Sequence, residues 1–447
     1  MNLTEKQIEG LSPNPAAFTA GKKLSAKENW QNLSSSERAI WGAIKGSGKS
    51  PYLTQIDSIN IAYKCTCPSR QFPCKHSIAL LLLVSSQPSA VTGSEEPEWV
   101  KDWMDKRSAK EEKKAEPKEL TEEEIEQRDR NKEKTQAARM SSVTSGLNEL
   151  ELWLKDLVRM GILDLPNKPE TEFKKVASRM VDAKATGLAG WVRLLADLDY
   201  SQSQLWQSEA LAIIAKLFLL IRALRNYDQL SPEWQTTLRG LSGWSQSPKE
   251  LLENPEVETI KDEWICLGQE NLTTEEDITI QRNWMLGIKS NRTALLLNFG
   301  TKFSAIENTV LPGMILEAEL AWFPGVLPER AVIKQQRRVA KTWSASPMAF
   351  SSWLEVQEHK IERLRINPWS NDHIIVLQKA RMINNGQQWM IADAERNVFP
   401  VVKDLDPQKP IRWLTLTGNE AVNMTLVIRN NRIIPLGIIK DNQYLLL

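Results

Sequence analysis

The spacing of apolar residues divides the chain into regions with different periods. From residue 146 to 255 apolar side chains recur at helical intervals, beginning with Leu147, Leu150, Leu154 and Leu157. The same period covers 172–198, 205–226 and 232–240. The pattern predicts an all-helical middle region.

Residues 256–447 contain short runs typical of β-strands instead, at 278–298, 314–322, 374–383, 388–401 and 413–447. Asn384-Asn385-Gly386 and Asn430-Asn431 interrupt such runs and are typical of hairpin turns. One helix is expected at 347–364. This half of the chain is predicted to be mostly β, with one helix and no internal repeat.

Residues 1–92 combine both kinds of pattern. After a short helix signal, two strand-like runs at 37–44 and 52–63 flank Gly46-Ser47-Gly48, which favours a hairpin. The unbroken apolar run at 77–84 indicates a buried helix that begins near Pro73 and Cys74. These elements predict a small ββα module.

The segment from 93 to 145 is dominated by charge. Between Lys101 and Arg139 it holds 12 Lys and Arg and 12 Asp and Glu, a composition typical of a solvated helix or linker. Thr121 and Glu124 form a candidate capping box. We therefore expect an α+β multi-domain chain, with the small ββα module at 1–92, a charged helical linker at 93–145, a helical domain at 146–255 and a mostly β domain at 256–447.

The overall charge changes this picture little. The 447 residues carry a net charge of +1, so the whole molecule has no strong attraction for nucleic acid or anionic membranes. The first residues do not resemble a signal sequence, and the longest apolar helical run, at 211–221, is too short to span a bilayer and contains Lys216. A soluble cytoplasmic protein without membrane contact is expected.

The stretch from Lys45 to Ser50 resembles a phosphate-binding loop. Such a loop requires a buried strand before it and a helix after it, because the helix N-terminus holds the phosphate. Here Pro51 and a strand-like run follow Ser50. Gly46 and Gly48 are therefore assigned to a tight turn, and no nucleotide is expected at Lys49 and Ser50.

A second motif, Cys65-x-Cys67 followed by six residues and Cys74-x-His76, indicates a metal site. In an extended strand residues i and i+2 face the same side, so Cys65 and Cys67 can reach one ion. Cys74 and His76 then enter from the start of the following helix. Three thiolates and one imidazole suit tetrahedral zinc, and four protein ligands leave no open position for a substrate. We expect one structural zinc ion.

The spacing Cys-x-Cys-x6-Cys-x-His resembles the SWIM-type zinc finger. The stretches "GSGKSPYLTQ", "CPSRQFPCKHSIALLLL" and "EPEWVKDWMDKR" resemble the form found in bacterial SWIM zinc finger proteins, and the likeness covers about residues 36–107. The resemblance implies zinc binding by Cys65, Cys67, Cys74 and His76 and a role in binding DNA or protein. It also implies an association with MoxR-type AAA ATPases and von Willebrand A-domain proteins.

The partner is open at this stage. Residues 1–90 carry 10 Lys and Arg against 5 Asp and Glu, and the cations near the motif are candidate nucleic-acid contacts: Lys45, Lys49, Lys64, Arg70 and Lys75. The helical and β regions offer large surfaces without recognisable chemistry, which favours a non-catalytic adaptor for protein partners. DNA or RNA binding through the finger is the alternative.

An enzyme is the remote alternative. With His76 assigned to zinc, His359 and His373 remain as imidazole bases, and neither accompanies a known nucleophile motif. His359 is expected to be exposed on a charged helix, and His373 to open a strand beside Asp372. Cys266 is expected to be a buried apolar residue and not a metal ligand. We expect no catalytic residues.

Overall fold

The computed structural model describes most of the chain, in segments separated by short gaps. The described residues are 3, 5–13, 15–46, 50–59, 61–69, 73–115, 122–200, 206–244, 246–273, 278–301, 306, 310–339, 349–370, 372–402, 404–429, 432–441 and 443–447.

The N-terminal module is a five-stranded sheet with helices packed on it. Its elements are α1 (Glu5–Leu11), α2 (Pro15–Leu24), β1 (Trp30–Ser35), β2 (Ala39–Ile44), β3 (Tyr52–Asp57), β4 (Ala62–Cys65), α3 (Lys75–Ser86) and β5 (Thr92–Gly93). The strands lie in the order β4-β3-β2-β1-β5. The predicted hairpin is confirmed, since β2 and β3 pair antiparallel from Ala39↔Asp57 to Ile44↔Tyr52.

The module is larger than the predicted ββα unit. The run at 52–63 is two strands and not one, because β3 ends at Asp57 and β4 begins at Ala62, just after Ile61 with its φ of 46°. Strand β1 was missed because its sequence is largely polar and its pairing shifts between Gln31 and Ser34. The metal motif is therefore attached to a sheet with its own core.

Helix α3 is the centre of that core. Every residue from His76 to Val84 is buried, as expected of a helix covered on several sides. The sheet contacts one side, and α1 and α2 contact the other. Gly21 of α2 lies so close to α3 that a Cβ there would stand 2.6 Å from Cγ2 of Ile78.

The charged segment forms two helices, α4 (Glu98–Ala115) and α5 (Glu122–Met160). The start of α4 packs on the sheet, where Val100 and Met104 contact Ala39 and Trp41. Glu96 accepts three hydrogen bonds from Arg38, of 2.9, 3.2 and 2.7 Å. Thr121 of the expected capping box lies outside the described residues. Helix α5 is continuous across the expected boundary between linker and helical domain at 145/146.

The middle region is helical, as predicted. It comprises the second half of α5 with α6 (Glu170–Asp182), α7 (Thr186–Ala196), α8 (Trp206–Arg225), α9 (Pro232–Leu241) and α10 (Pro248–Glu253). Leu147, Leu150, Leu154 and Leu157 are all buried in its core. The helix expected at 172–198 is two helices, because the chain breaks at Lys184, whose φ is 60°.

A closed five-stranded barrel follows, formed by β6 (Thr259–Thr273), β7 (Ile278–Gly287), β8 (Thr293–Thr301), β9 (Ile315–Trp322) and β10 (Arg330–Val339). The order is β10-β8-β7-β6-β9, with β10 parallel to β8 and the other pairs antiparallel. Trp264 and Trp322 fill its interior, with ring centroids 5.5 Å apart.

The chain ends in a six-stranded sheet with two helices. Its elements are α11 (Trp353–Ile366), β11 (Asp372–Asn384), β12 (Trp389–Ala392), β13 (Val398–Pro400), α12 (Gln408–Thr417), β14 (Val422–Arg429), β15 (Arg432–Lys440) and β16 (Gln443–Leu446). The strand order is β13-β12-β11-β14-β15-β16. The hairpin predicted at Asn384-Asn385-Gly386 is confirmed, with Asn384 opposite Trp389 and Gly386 at a φ of 89°.

One prediction for this region was wrong. The run at 413–447 was read as strands, but its first residues belong to α12. Pro410, Trp413 and Thr417 are buried at helical spacing, and Gly418 ends the helix with a φ of 61°. The described part of this region therefore contains two helices, α11 and α12, while its mostly β character holds.

The last two regions are fixed to their neighbours. The barrel and the sheet share an apolar layer that includes Trp284 and Val427. Asp372 forms ion pairs with Arg282 of the barrel, at 2.6 Å, and with Arg429 of the sheet, at 2.8 Å. Nε1 of Trp369 donates to the backbone oxygen of Lys216 in α8.

Candidate metal centre

The four residues of the Cys-x-Cys-x6-Cys-x-His motif come together between β4 and α3. Their ligand atoms, the three Sγ atoms and an imidazole nitrogen, all lie within 4.8 Å of one another. Cys65 is the last residue of β4, and Cys67 follows in the turn instead of extending the strand. Cys74 is the N-cap of α3 and His76 lies in its first turn. Cys74 and His76 are buried, and Cys65 and Cys67 are half-buried.

The distances fit one tetrahedral zinc ion. Nδ1 of His76 lies 3.7 Å from Sγ of Cys65 and 4.0 Å from Sγ of Cys74. Tetrahedral bonds of ~2.3 Å to sulfur and ~2.0 Å to nitrogen would separate such atoms by about 3.5 Å. Nδ1 is therefore the imidazole nitrogen that would face the ion. The three thiolates and this imidazole would hold one structural zinc ion in this cluster.

Three further side chains surround the ligands and were not singled out in the sequence. Oγ1 of Thr54 lies 3.2 Å from Sγ of Cys65, and Oγ of Ser77 lies 3.5 Å from Sγ of Cys74. The ring of Tyr52 lies 5.2 Å from that of His76. For Thr54 the signal was the strand register, because Thr54 is the cross-strand partner of Cys65.

Ionisation of all three thiols is unfavourable without a cation. A hydrogen bond from Cys65, helped by His76 and Ser77, lowers the pKa of Cys74 to about 3. The same hydrogen bond raises the pKa of Cys65, and burial raises the pKa of Cys67. The geometry thus favours one thiolate on its own, and a divalent ion is needed to stabilise three.

The candidate nucleic-acid contacts are only partly described. Lys45 follows β2, Lys64 lies on β4 and Lys75 begins α3, and all three are exposed. Lys49 and Arg70 lie outside the described residues. Beyond Ser50 the chain enters β3, a strand, where a phosphate-binding loop would require a helix.

The remaining imidazoles and the fourth cysteine lie in the C-terminal half. Cys266 is fully buried in the barrel, and burial raises the pKa of its thiol to about 12. The expectation that His359 is exposed was wrong: the ring is half-buried, with centroids 5.1 Å from Phe350 and 5.9 Å from His373. The side of α11 that carries His359 packs against β11, which the charges around it in the sequence did not indicate.

No helix in the described segments is long and apolar enough to cross a membrane.

Comparison with known protein families identifies two parts of the chain. The family described as the SWIM zinc finger matches residues 52–85, from the start of β3 to the last turn of α3. The family described as the SWIM-associated four-helix bundle domain matches residues 138–241, from the second half of α5 to α9. The resemblance seen in the motif is thereby confirmed. No curated protein and no solved structure matches the chain.

Proposed function

We propose that this SWIM zinc finger protein is a cytoplasmic, non-catalytic adaptor that binds other proteins. The observation that carries the proposal is the closed metal centre. All four tetrahedral positions belong to Cys65, Cys67, Cys74 and His76, so the ion stabilises a binding module and has no position for a reactant. Three thiols crowded at one site without a disulfide suit a reducing compartment.

Contacts between the helical region, the barrel and the C-terminal sheet also support an adaptor. Trp369 ties the C-terminal sheet to α8, and the ion pairs of Asp372 tie that sheet to the barrel. Several surfaces are thereby fixed relative to one another, which suits simultaneous contact with a large partner. AAA-type ATPases are the partners that the family resemblance implies, and we include them in the proposal.

The absence of catalysis is also part of the proposal. His373 is 6% exposed, and burial among cations lowers its pKa to about 3. At neutral pH such an imidazole is uncharged and a weak base, and it has little access to a substrate.

Binding of DNA or RNA is the second candidate. It is favoured by the exposed cations Lys45, Lys64 and Lys75 around the metal centre. A closed five-stranded barrel can also bind oligonucleotides on its second and third strands. Here that face is partly covered, since Trp284 of β7 and Leu295 of β8 pack against the C-terminal sheet. The finger is therefore the surface to test.

The decisive experiment measures binding of the zinc-loaded full chain to labelled DNA and RNA over a salt series. The variants are a triple substitution, Lys45→Ala with Lys64→Ala and Lys75→Ala, and a control pair, Lys249→Ala with Lys261→Ala, on side chains 84% and 78% exposed. We expect the triple variant and the control pair to show the same binding, or the same lack of binding, to DNA and RNA. Binding that weakens steeply with salt and is lost only in the triple variant would replace the adaptor by a nucleic-acid-binding protein.

The positive test uses protein partners. A protein captured by the wild-type chain is purified and its affinity for the purified chain is measured by calorimetry, with Cys74→Ser as the variant that lacks the folded finger. We expect an affinity that changes little with salt, as for an interface with an apolar core. Turnover of a substrate by the purified chain alone would contradict the non-catalytic part of the proposal.

A further inference from the structure

A groove of about 660 Å³ runs between α5 and α8, inside the four-helix bundle domain. Leu154 and Ile214 are buried at its base, and its other lining residues are Lys155, Val158, Arg159, Leu211, Ala215, Phe218, Leu219 and Arg222.

The groove leaves large apolar side chains in solvent. Val158 is 51% exposed, Leu211 54% and Leu219 45%. Scattered apolar residues are normal on a surface, but several that line one concave groove mark an interaction site. Leu211, Ala215, Phe218 and Leu219 are spaced i, i+4, i+7 and i+8, so one face of α8 is apolar yet not covered by the described parts of the chain.

Positive charge borders this apolar surface. The charged lining residues are Lys155, Arg159 and Arg222, and none of the lining residues is acidic. Nearby, Glu151 forms ion pairs with Lys155, at 2.8 Å, and with Arg225, at 2.5 Å. In the described part of the chain Arg159 forms an ion pair with Asp156 alone, 3.6 Å away, and both side chains are exposed. Among these six side chains four are cations and two are carboxylates, which is an excess of two positive charges.

The length of the groove suits a short helix. From Leu211 to Arg222 the axis of α8 advances about 17 Å at ~1.5 Å per residue. A partner helix of three turns would match this length and could place apolar side chains at i, i+3, i+4 and i+7 in the groove.

We propose that this groove binds an acidic amphipathic helix of a partner protein. The inference rests on the proposed adaptor function, and it names the chemistry of one partner segment: an apolar face against Leu211, Phe218 and Leu219, and carboxylates against Lys155, Arg159 and Arg222. A second copy of the chain fits poorly, because a two-fold contact through the groove would place the same cations opposite each other.

The test uses two fluorescent helical peptides of about 14 residues, a length that covers the groove. Both have the same leucine face, and their polar faces carry glutamate in one and lysine in the other. Anisotropy is measured with the full zinc-loaded chain. We expect the glutamate peptide to bind at least about tenfold more tightly than the lysine peptide, which corresponds to ~1.4 kcal/mol.

Two variants and a control examine the groove itself. Leu211→Gln with Leu219→Gln changes exposed side chains and should weaken binding of the glutamate peptide about tenfold or more. Arg159→Glu with Arg222→Glu should reverse the preference between the two peptides. Leu354→Gln, on a side chain of α11 that is 66% exposed, should change neither. Zinc content and circular dichroism show that each variant is folded.

Several results would overturn the inference: equal binding of both peptides, no binding, or binding that the groove variants do not change. Self-association in sedimentation that Leu211→Gln abolishes would make a second copy the occupant. Binding to anionic vesicles with the same dependence would make a membrane surface the occupant. If a protein partner binds normally to the groove variants, the adaptor proposal stands and the groove proposal fails. If the salt series reveals a nucleic-acid function, the peptides still decide the groove separately.

Discussion

Oγ1 of Thr54 lies 3.2 Å from Sγ of Cys65, and the two residues are partners across the β3–β4 pair. A hydroxyl at this distance can donate to a thiolate and thereby hold it in place for the metal. Side chains that orient metal ligands in this way contribute strongly to metal affinity. The sheet, and not only the ligand loop, therefore shapes the zinc site.

Thr54→Val should weaken zinc binding about tenfold, because it keeps the shape of the side chain and removes the hydroxyl. Competition against a fluorescent zinc chelator measures the change. Thr54→Ser is the matched control. It keeps the hydroxyl and should bind zinc within about threefold of the wild type. Equal affinities for the valine variant and the wild type would show that the contact does not support the site.

Cys74→Ser should remove the zinc ion and unfold residues 36–90, while the helical region at 146–255 stays folded. A structural zinc site contributes roughly 10–16 kcal/mol of apparent binding free energy, and Cys74 is also the N-cap of the central helix α3. Zinc content and hydrogen exchange of peptides from both regions measure the outcome. Cys266→Ala, which alters the one cysteine outside the cluster, should keep the zinc. One zinc per chain and unchanged protection in Cys74→Ser would refute the ligand assignment.

The zinc site was predictable because its information is local. The four ligands lie within a stretch of twelve residues, from Cys65 to His76, and their spacing alone brings them together. The β2–β3 hairpin and helix α3 were predictable for the same reason, since each has a turn or an unbroken apolar run in the sequence. The long helices of the middle region follow from one clear period.

The missed features depend on contacts between distant parts of the chain. Strand β1 is polar on its exposed side and owes its place to pairing with β2. Thr54 supports the metal centre only through the register with β4. Barrel closure depends on the parallel pair of β10 with β8, whose residues Arg330 and Leu295 lie far apart in sequence. The apolar face of α8 was visible in the sequence, but not that part of it lines an open groove.

Gly21→Ala should destabilise the N-terminal module by about 1–3 kcal/mol, because the added Cβ would stand 2.6 Å from Cγ2 and 2.9 Å from Cβ of Ile78. Gly10→Ala is a matched control in α1, where no atom lies within 4 Å of the new Cβ. Both variants gain the same helix propensity of up to ~1 kcal/mol, so their difference isolates the clash. The temperature of zinc release measures stability, and similar temperatures for both variants would contradict close packing of α2 on α3.

His373→Gln should reduce the loss of stability at acidic pH. Burial, with Arg363, His359 and Lys360 nearby, lowers the pKa of His373 from 6.5 to about 3, and Asp372 opposes this only weakly. The unfolded chain therefore binds a proton at this imidazole below pH 6.5, whereas the folded chain does not until about pH 3. His373 therefore leaves the free energy of unfolding unchanged above pH 6.5 and lowers it progressively as the pH falls from 6.5 toward 3.

Between about pH 7.5 and pH 5 this difference removes roughly 2 kcal/mol of unfolding free energy from the wild type. Urea unfolding at both pH values should show a smaller decrease for His373→Gln, even if its stability at neutral pH is lower. Zinc ligands titrate equally in both proteins and cancel in the comparison. His359→Gln should reduce the pH dependence by less, because that ring is only half-buried. An identical decrease in the wild type and His373→Gln would mean that His373 is solvated in the folded chain, and that α11 and β11 do not enclose it.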